Sequence, residues 1–462
     1  MYLTIHNLGR LESATIDLSK SFTVFVGRNN TSKTYVAHTI YALHRFGAGF
    51  LDQAVLRVVE KKVPPPWDAS RYELDVMDAL DPSVPNLIDG LARNLKARLP
   101  SVFATDDRFF AATQLSLSLA DGEEAAVREW LVSRQYSIHF SVAGWRVEFR
   151  KPKGSRIATL DCTPSGSVAE IPATARTWVP QIIGFGVGDL LKQALLPGSL
   201  APSILSTERS AIQLFSRELY GKRSQVIDAV LEEQVRAESV DLINKETRFY
   251  PLAIRDELRS TNQMPQRKLA RSPLEPLAAR LETLLGGAVV LDESGDLMFQ
   301  PSELNKPLGL HVSSSSVKSL AGLAFYLRHV ATEGGLLVID EPELNLHPDN
   351  QRIVARILAQ VALAGVRVLI STHSDYLIRE LSVLIALHAS NASALRAKYG
   401  YSESETIDSN SIVAYLFDQT TAHAIDVGTT GIEVTSIDNE INALNRIAKD
   451  VYFALLAEKP ET

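Results

Sequence analysis

Residues 26 to 36 read VGRNNTSKTYV. A stretch of the form G-x-x-x-x-G-K-[ST] holds a triphosphate, because backbone amides and a helix N-terminus meet the anion while the lysine reaches the outer phosphates and the hydroxyl takes Mg²⁺. Gly27, Arg28, Asn29, Asn30, Thr31, Ser32, Lys33 and Thr34 supply that pattern here, with one departure. Ser32 stands where the pattern has glycine. Glycine at that point permits a special backbone conformation and close approach to phosphate, so serine is a mild but strained replacement. An ordinary strand-loop-helix connection also carries a Gly and a Lys-Thr by chance, so the loop needs company before it is read as an ATP site.

The stretch GGLLVIDEPELNLHP supplies that company. It puts two carboxylates, Asp340 and Glu341, directly after a buried apolar strand. Asp340 is suited to holding Mg²⁺ through water, and Glu341 to orienting or deprotonating an attacking water. The plainer reading, that Asp-Glu-Pro caps the next helix, holds for an isolated IDEP and loses force beside the loop. LISTHSDYL places His373 just past another buried strand, where an imidazole can sense a terminal phosphate, although a lone His there is more often a satisfied turn residue. HVSSSSVKSLAGL places serines at a helix N-terminus, which favours an anion and equally well makes an N-cap.

These groups act together only if a fold brings them to one edge. YLTIHNL and ATIDL alternate apolar and polar residues and predict two edge strands, and FTVFV predicts a buried strand ending at Gly27. YVAHTIYALHRF has helical spacing, so the loop lies between strand and helix. Residues 51–100, with PPPWD and DPSVPN, look like an insertion. YSIHFSV, WRVEFRK and RIATLDC predict a small antiparallel sheet, and residues 210–286 are helical by pattern without a sustained heptad. AVVLD and DLMFQ read as strands. After them, helix alternates with strand through KSLAGLAFYLRHV, GLLVID, DNQRIVARILAQV and VRVLIST, which implies a parallel sheet in an α/β fold.

Composition narrows the class. An apolar content of 45%, a charged content of 22% and no biased tract describe a globular chain of 462 residues with a sizeable core. A net charge of -7 advertises no nucleic acid, though a local basic groove stays open. One cysteine, Cys162, excludes an intrachain disulfide and a thiolate zinc cluster. No apolar stretch is long enough to span a bilayer, and a cytoplasmic location with no membrane partner is expected.

GRNNTSKT, SSSSVKSLAGLAFYLR, LLVIDEPELNLHP and LISTHSDYL, in that order, resemble the ATPase heads related to RecF, structural-maintenance-of-chromosomes and overcoming-lysogenization-defect proteins. Residues 1–46 and 288–380 carry the likeness. It implies an α/β, P-loop ABC-type ATPase head with an antiparallel β subdomain and helical insertions, using ATP and Mg²⁺. The implied organisation is a first head segment with the phosphate loop (1–50), a helical insertion (51–100), a β-rich subdomain returning to the head (101–209), a second helical insertion (210–286), a second head segment (287–376) and an α/β cap or partner-binding region (377–462).

By the same resemblance, Asp340 is the Mg²⁺-site acid, Glu341 the catalytic glutamate and His373 the switch histidine. Ser314 and Ser315 contact the partner subunit's γ-phosphate, with Ser316 standing where relatives often carry glycine, and residues 342–348 form an interface loop. Such heads work as an ATP-sandwiched dimer or a ring of dimers. ILSTERSAIQLFSREL looks like a junction found in defence ATPases, where Glu208 and Arg209 either reach the nucleotide or form a buried ion pair under the sheet.

No Asp-x-Asp follows an apolar strand after His373, so no nuclease of its own is expected. The resemblance to the PARIS and Septu ATPases implies a subunit of an anti-phage system that controls a separate effector, a nuclease or toxin. A RecF-like DNA repair ATPase is the alternative, and a non-hydrolysing nucleotide-dependent scaffold a third.

Overall fold

The computed structural model describes residues 1–62, 70–80, 83–142, 144–165, 175–215, 250–262, 269–292, 295–433, 443 and 445–453. The chain runs through β1 (Tyr2–Leu8), β2 (Leu11–Asp17) and β3 (Phe22–Gly27) into a long helix, α1 (Lys33–Lys62). Next come β4 (Arg71–Asp75), α2 (Val84–Phe103), β5 (Gln114–Ser118), α3 (Glu123–Ser133), β6 (Tyr136–Val142), β7 (Trp145–Lys151), β8 (Ile157–Pro164), α4 (Ala175–Leu195) and β9 (Gly198–Leu205). The second half holds α5 (Leu252–Asn262), α6 (Glu275–Leu285), β10 (Gly287–Leu291), β11 (Leu297–Pro301), β12 (Leu308–Gly309), α7 (Ser315–Phe325), β13 (Gly335–Asp340), α8 (Pro348–Leu363), β14 (Arg367–Thr372), α9 (Asp375–Ala386), β15 (Ile412–Asp418) and β16 (Thr421–Ile425).

Nine strands form one mixed sheet in the order β5-β1-β2-β16-β15-β3-β14-β13-β9, parallel from β15 to β9. The inner parallel strands β3, β13 and β14 are mostly apolar and buried because helices cover both faces. Phe25, Val338 and Leu369 point into a core shared with α1, α2 and α4. Their neighbours Val24, Val26, Leu337, Ile339 and Ile370 point into a second core beneath α7, α8 and α9. Each side chain so buried contributes about 1.5–3 kcal/mol, so the parallel strands sit where their sequence is most stable.

Three differences from the sequence reading follow from pairings between distant residues. β1 and β2 are not edge strands: β5 pairs outside β1 and β16 joins β2 from the inner side, which removes two open backbone edges. α1 continues past residue 50 to Lys62, and the stretch expected as a helical insertion is tied to its neighbours, since β4 pairs with β8 and α2 buries Leu87, Leu91, Leu95 and Leu99 in the first core. The region expected as a cap supplies β15, which lies beside β3 in the middle of the sheet.

The expected antiparallel sheet is present as β4-β8-β7-β6. Much of the expected second helical insertion (216–249 and 263–268) lies outside the described residues. Cys162 is buried in β8, where burial and Asp161 push its thiol up to about 11. Among the described residues no helix is long and apolar enough to cross a membrane.

Candidate functional site

Three parallel strands end together. Val26 of β3 pairs with Thr372 of β14, and Ser371 of β14 pairs with Asp340 of β13. The loop after β3, the acids after β13 and His373 after β14 therefore leave one edge of the sheet, the carboxyl edge at which open α/β sheets bind ligands.

Gly27 opens the loop at φ +147°, and a Cβ there would lie 2.2 Å from the Phe417 carbonyl oxygen of β15. Only glycine fits between the two strands. Asn30 and Ser32 both take positive φ, +64° and +70°. Asparagine adopts that region readily. Serine does not, and its Oγ accepts a hydrogen bond from the Arg10 backbone N–H at 3.3 Å, which ties the loop to the β1–β2 turn. The Thr31 hydroxyl donates to the Arg28 carbonyl at 2.8 Å. Lys33 is folded back on the loop, its Nζ donating to the carbonyls of Gly27 (2.9 Å) and Arg28 (2.7 Å). Burial lowers the Lys33 ammonium to about 8, although Glu341, Asp340 and Glu343 pull the other way. Thr34 at the start of α1 is exposed, as are Arg28, Asn29 and Asn30 of the loop.

Asp340 is wholly buried, with Oδ2 2.8 Å from His38 Nε2 and Oδ1 accepting from the Ser371 hydroxyl at 2.7 Å. Burial alone would raise its carboxyl. His38, Ser371 and the Arg209 charge outweigh it, and Asp340 is held below the usual carboxylate range. Glu341 follows at φ +48°, a conformation a non-glycine residue keeps only where the surroundings impose it. Its side chain is a third exposed, and Oε1 lies 3.6 Å from His373 Nε2, too long for a direct hydrogen bond and close enough for a shared water. Burial and the Lys33 charge lower the His373 imidazole, against a hydrogen bond to the Gly27 backbone, so it is neutral near pH 7.

Arg209 is 1% exposed and makes four backbone contacts. It donates to the carbonyls of Ser206 (2.9 Å), Ser319 (3.0 Å), Asp340 (2.7 Å) and Glu341 (2.7 Å). Its role is architectural, as one of the two sequence readings had it, but its partners are carbonyls. Glu208 is exposed. Ser314 caps α7 by accepting from the Val317 N–H at 3.3 Å, and both Ser314 and Ser315 are exposed.

A family described as "AAA domain, putative AbiEii toxin, Type IV TA system" matches residues 209–379, less than half of the chain. The matched stretch contains Arg209, the serines, Asp340, Glu341 and His373, and it leaves out the loop at 27–34. No curated protein matches. Among solved structures, the chain is similar to an Smc head bound to the C-winged helix domain of ScpA, with a TM-score of 0.32 and 11% identity over 92% of this chain and 96% of that one. It is similar also to the Smc head with an extended coiled coil bound to the C-terminal domain of ScpA derived from Pyrococcus furiosus (0.32, 12%, 97% and 98%) and to the SMC head domain from Thermotoga maritima (0.29, 11%, 92% and 98%). At such scores and identities, function has to be argued from the residues themselves.

Four contributors are not named individually in the sequence reading, two of them within its 342–348 loop. His38 stands four residues after Thr34 on one face of α1, a spacing that is visible in the sequence once Asp340 is known to lie opposite. Ser371 is the inward-facing neighbour of Thr372 and looks like any strand residue. Glu343 accepts from the Thr372 hydroxyl (2.8 Å) and from the His373 backbone N–H (2.7 Å). Asn345, at φ +60°, donates from Nδ2 to Ser319 Oγ at 3.1 Å, and its carbonyl accepts from the Ser316 hydroxyl at 3.1 Å, so the 342–348 loop joins α7 to the His373 turn.

The residues fit Mg²⁺-ATP. Among the described residues no cluster of three or more His, Cys, Asp or Glu side chains could hold a metal ion alone. Thr34 Oγ1 is exposed for a direct contact, and Asp340, with each oxygen already bonded once, keeps further acceptor positions for metal-bound water.

Proposed function

We propose that this chain binds ATP with Mg²⁺ and hydrolyses it, with turnover that is slow or partner-dependent, as the sensor or scaffold subunit of a bacterial anti-phage system that controls a separate effector. One observation carries the ATP reading: Lys33, Asp340, Glu341 and His373, from three separate segments, meet at the carboxyl edge of β3, β13 and β14. Lys33 exchanges its two loop carbonyls for the outer phosphates. Thr34 and Asp340 would hold the ion, which when bound would supply positive charge to offset the negative charge on the phosphates. Glu341 orients water and takes its proton, and neutral His373 donates to the γ-phosphate or to that water.

The exposure of Ser314 and Ser315 at the start of α7 supports a closed form in which a second copy's nucleotide meets α7. The defence role rests on the motif resemblance and on the toxin–antitoxin description of the matching family. ATP turnover and particle mass with and without Mg²⁺-ATP, measured for wild type, Lys33→Ala and Glu341→Gln, test the reading. Lys33→Ala should lose ATP binding, and Glu341→Gln should bind ATP, stop turning over and accumulate as the larger assembly. Normal turnover in either variant would overturn the assignments.

A further inference from the structure

The ATP reading gives no task to the buried side chain of His38, and this inference rests on that reading. His38 is 8% exposed and points its Nε2 at Asp340 Oδ2 across 2.8 Å. Its ring lies nearly parallel to Phe103 at the end of α2, with centroids 6.5 Å apart and planes 11° apart, and Phe103 stacks in turn on Tyr35 at 4.7 Å. The imidazole is therefore held on one side by an aromatic layer and on the other by a carboxylate. Ser371 fixes the second oxygen of the same carboxylate. With both oxygens bonded, the plane of the Asp340 carboxylate cannot rotate, and its remaining lone pairs keep one direction.

We propose that His38 is a positioning residue that orients Asp340 toward the water shell of the nucleotide-borne Mg²⁺. α1 then addresses the ion twice from one face, directly through Thr34 and, one turn later, through the His38–Asp340 pair. A carboxylate oxygen accepts, so in this 2.8 Å contact the His38 tautomer that carries its proton on Nε2 is the one that holds Asp340. Partners that orient metal-site carboxylates are typically worth 10–100-fold in metal affinity.

The test is binding of a fluorescent ATP analogue to the whole purified protein, in EDTA and across a Mg²⁺ titration, for wild type, His38→Leu and His38→Gln, with melting temperature as the folding control. In EDTA all three should bind alike, because Lys33 and the loop amides are untouched. The Mg²⁺ concentration giving half of the metal-dependent signal should rise about 10-fold in His38→Leu. His38→Gln, whose amide nitrogen donates from the position of Nε2, should stay near wild type. If His38→Leu does not fold, His38→Asn, too short to reach Asp340, takes its place. A wild-type Mg²⁺ response in the leucine variant, or a glutamine variant as impaired as the leucine one, overturns the role of His38 and leaves the ATP site standing. A wild type that binds no analogue in either medium removes the ATP site and this inference together.

Discussion

The Glu343 carboxylate accepts the His373 backbone N–H at 2.7 Å, and the same oxygen accepts the Thr372 hydroxyl. Through this one oxygen the loop that follows Glu341 sets the height of the turn carrying the imidazole. Burial raises the Glu343 carboxyl, and its second oxygen is buried with no partner among the described residues. Glu343→Ala strands two donors and frees the His373 turn. Displacement of about 1 Å at a reacting geometry costs up to about 100-fold, so turnover should fall roughly 10- to 100-fold while analogue binding in EDTA is retained. Glu343→Gln, which keeps an acceptor oxygen, should lose much less. Equal turnover in wild type and the alanine variant would show that the turn holds without this anchor.

Ser32 sits at φ +70°, where a side chain costs about 1–2 kcal/mol, and its hydroxyl recovers part of that through Arg10. Ser32→Ala keeps the strain and loses the bond, so it should be destabilised by about 1 kcal/mol. Ser32→Gly loses the bond and the strain together and should lie near wild type. Urea unfolding of the three proteins gives the order. An alanine variant as stable as wild type would mean that the hydroxyl contributes nothing to holding the loop.

Glu257 of α5 is buried, and its Oε2 accepts from the backbone N–H (3.1 Å) and the hydroxyl (3.0 Å) of Ser206. Burial pushes its carboxyl from 4.5 up to about 7, against those bonds and the Arg209 charge. The folded state thus binds this proton more tightly than the unfolded state. Its stabilising contribution is complete below about pH 4.5 and is lost as pH rises to about 7, a change of about 3 kcal/mol. His44 acts in the opposite sense: burial lowers it to about 4, so the unfolded chain takes up a proton that the folded one refuses. Only a difference isolates Glu257. The stability of wild type relative to Glu257→Gln should decline by roughly 2–3 kcal/mol between about pH 5 and pH 7.5, read from urea midpoints. A difference that stays constant with pH would place the carboxyl at an ordinary value.

The order of loop, serines, acids and histidine is a matter of residue type at short spacing, and so is the alternation that makes β6, β7 and β8 a sheet. Local spacing reports backbone conformation and which face is apolar, and the strands β3, β13 and β14 followed from that alone. The reading failed where a residue's partner is remote. Phe417 closing over Gly27, His38 bonding Asp340 across 302 positions and Arg209 reaching Asp340 across 131 have no local period to betray them. Nor did the alternating pattern of β1 and β2 tell which strands would lie beside them, because a half-buried strand looks the same at an edge and in the interior. Sequence by itself determined the residue types of the loop, the acids and the histidine and their order along the chain. The tertiary structure decided how they are held, because hydrogen bonds and close backbone approach depend on distances that only the assembled sheet defines.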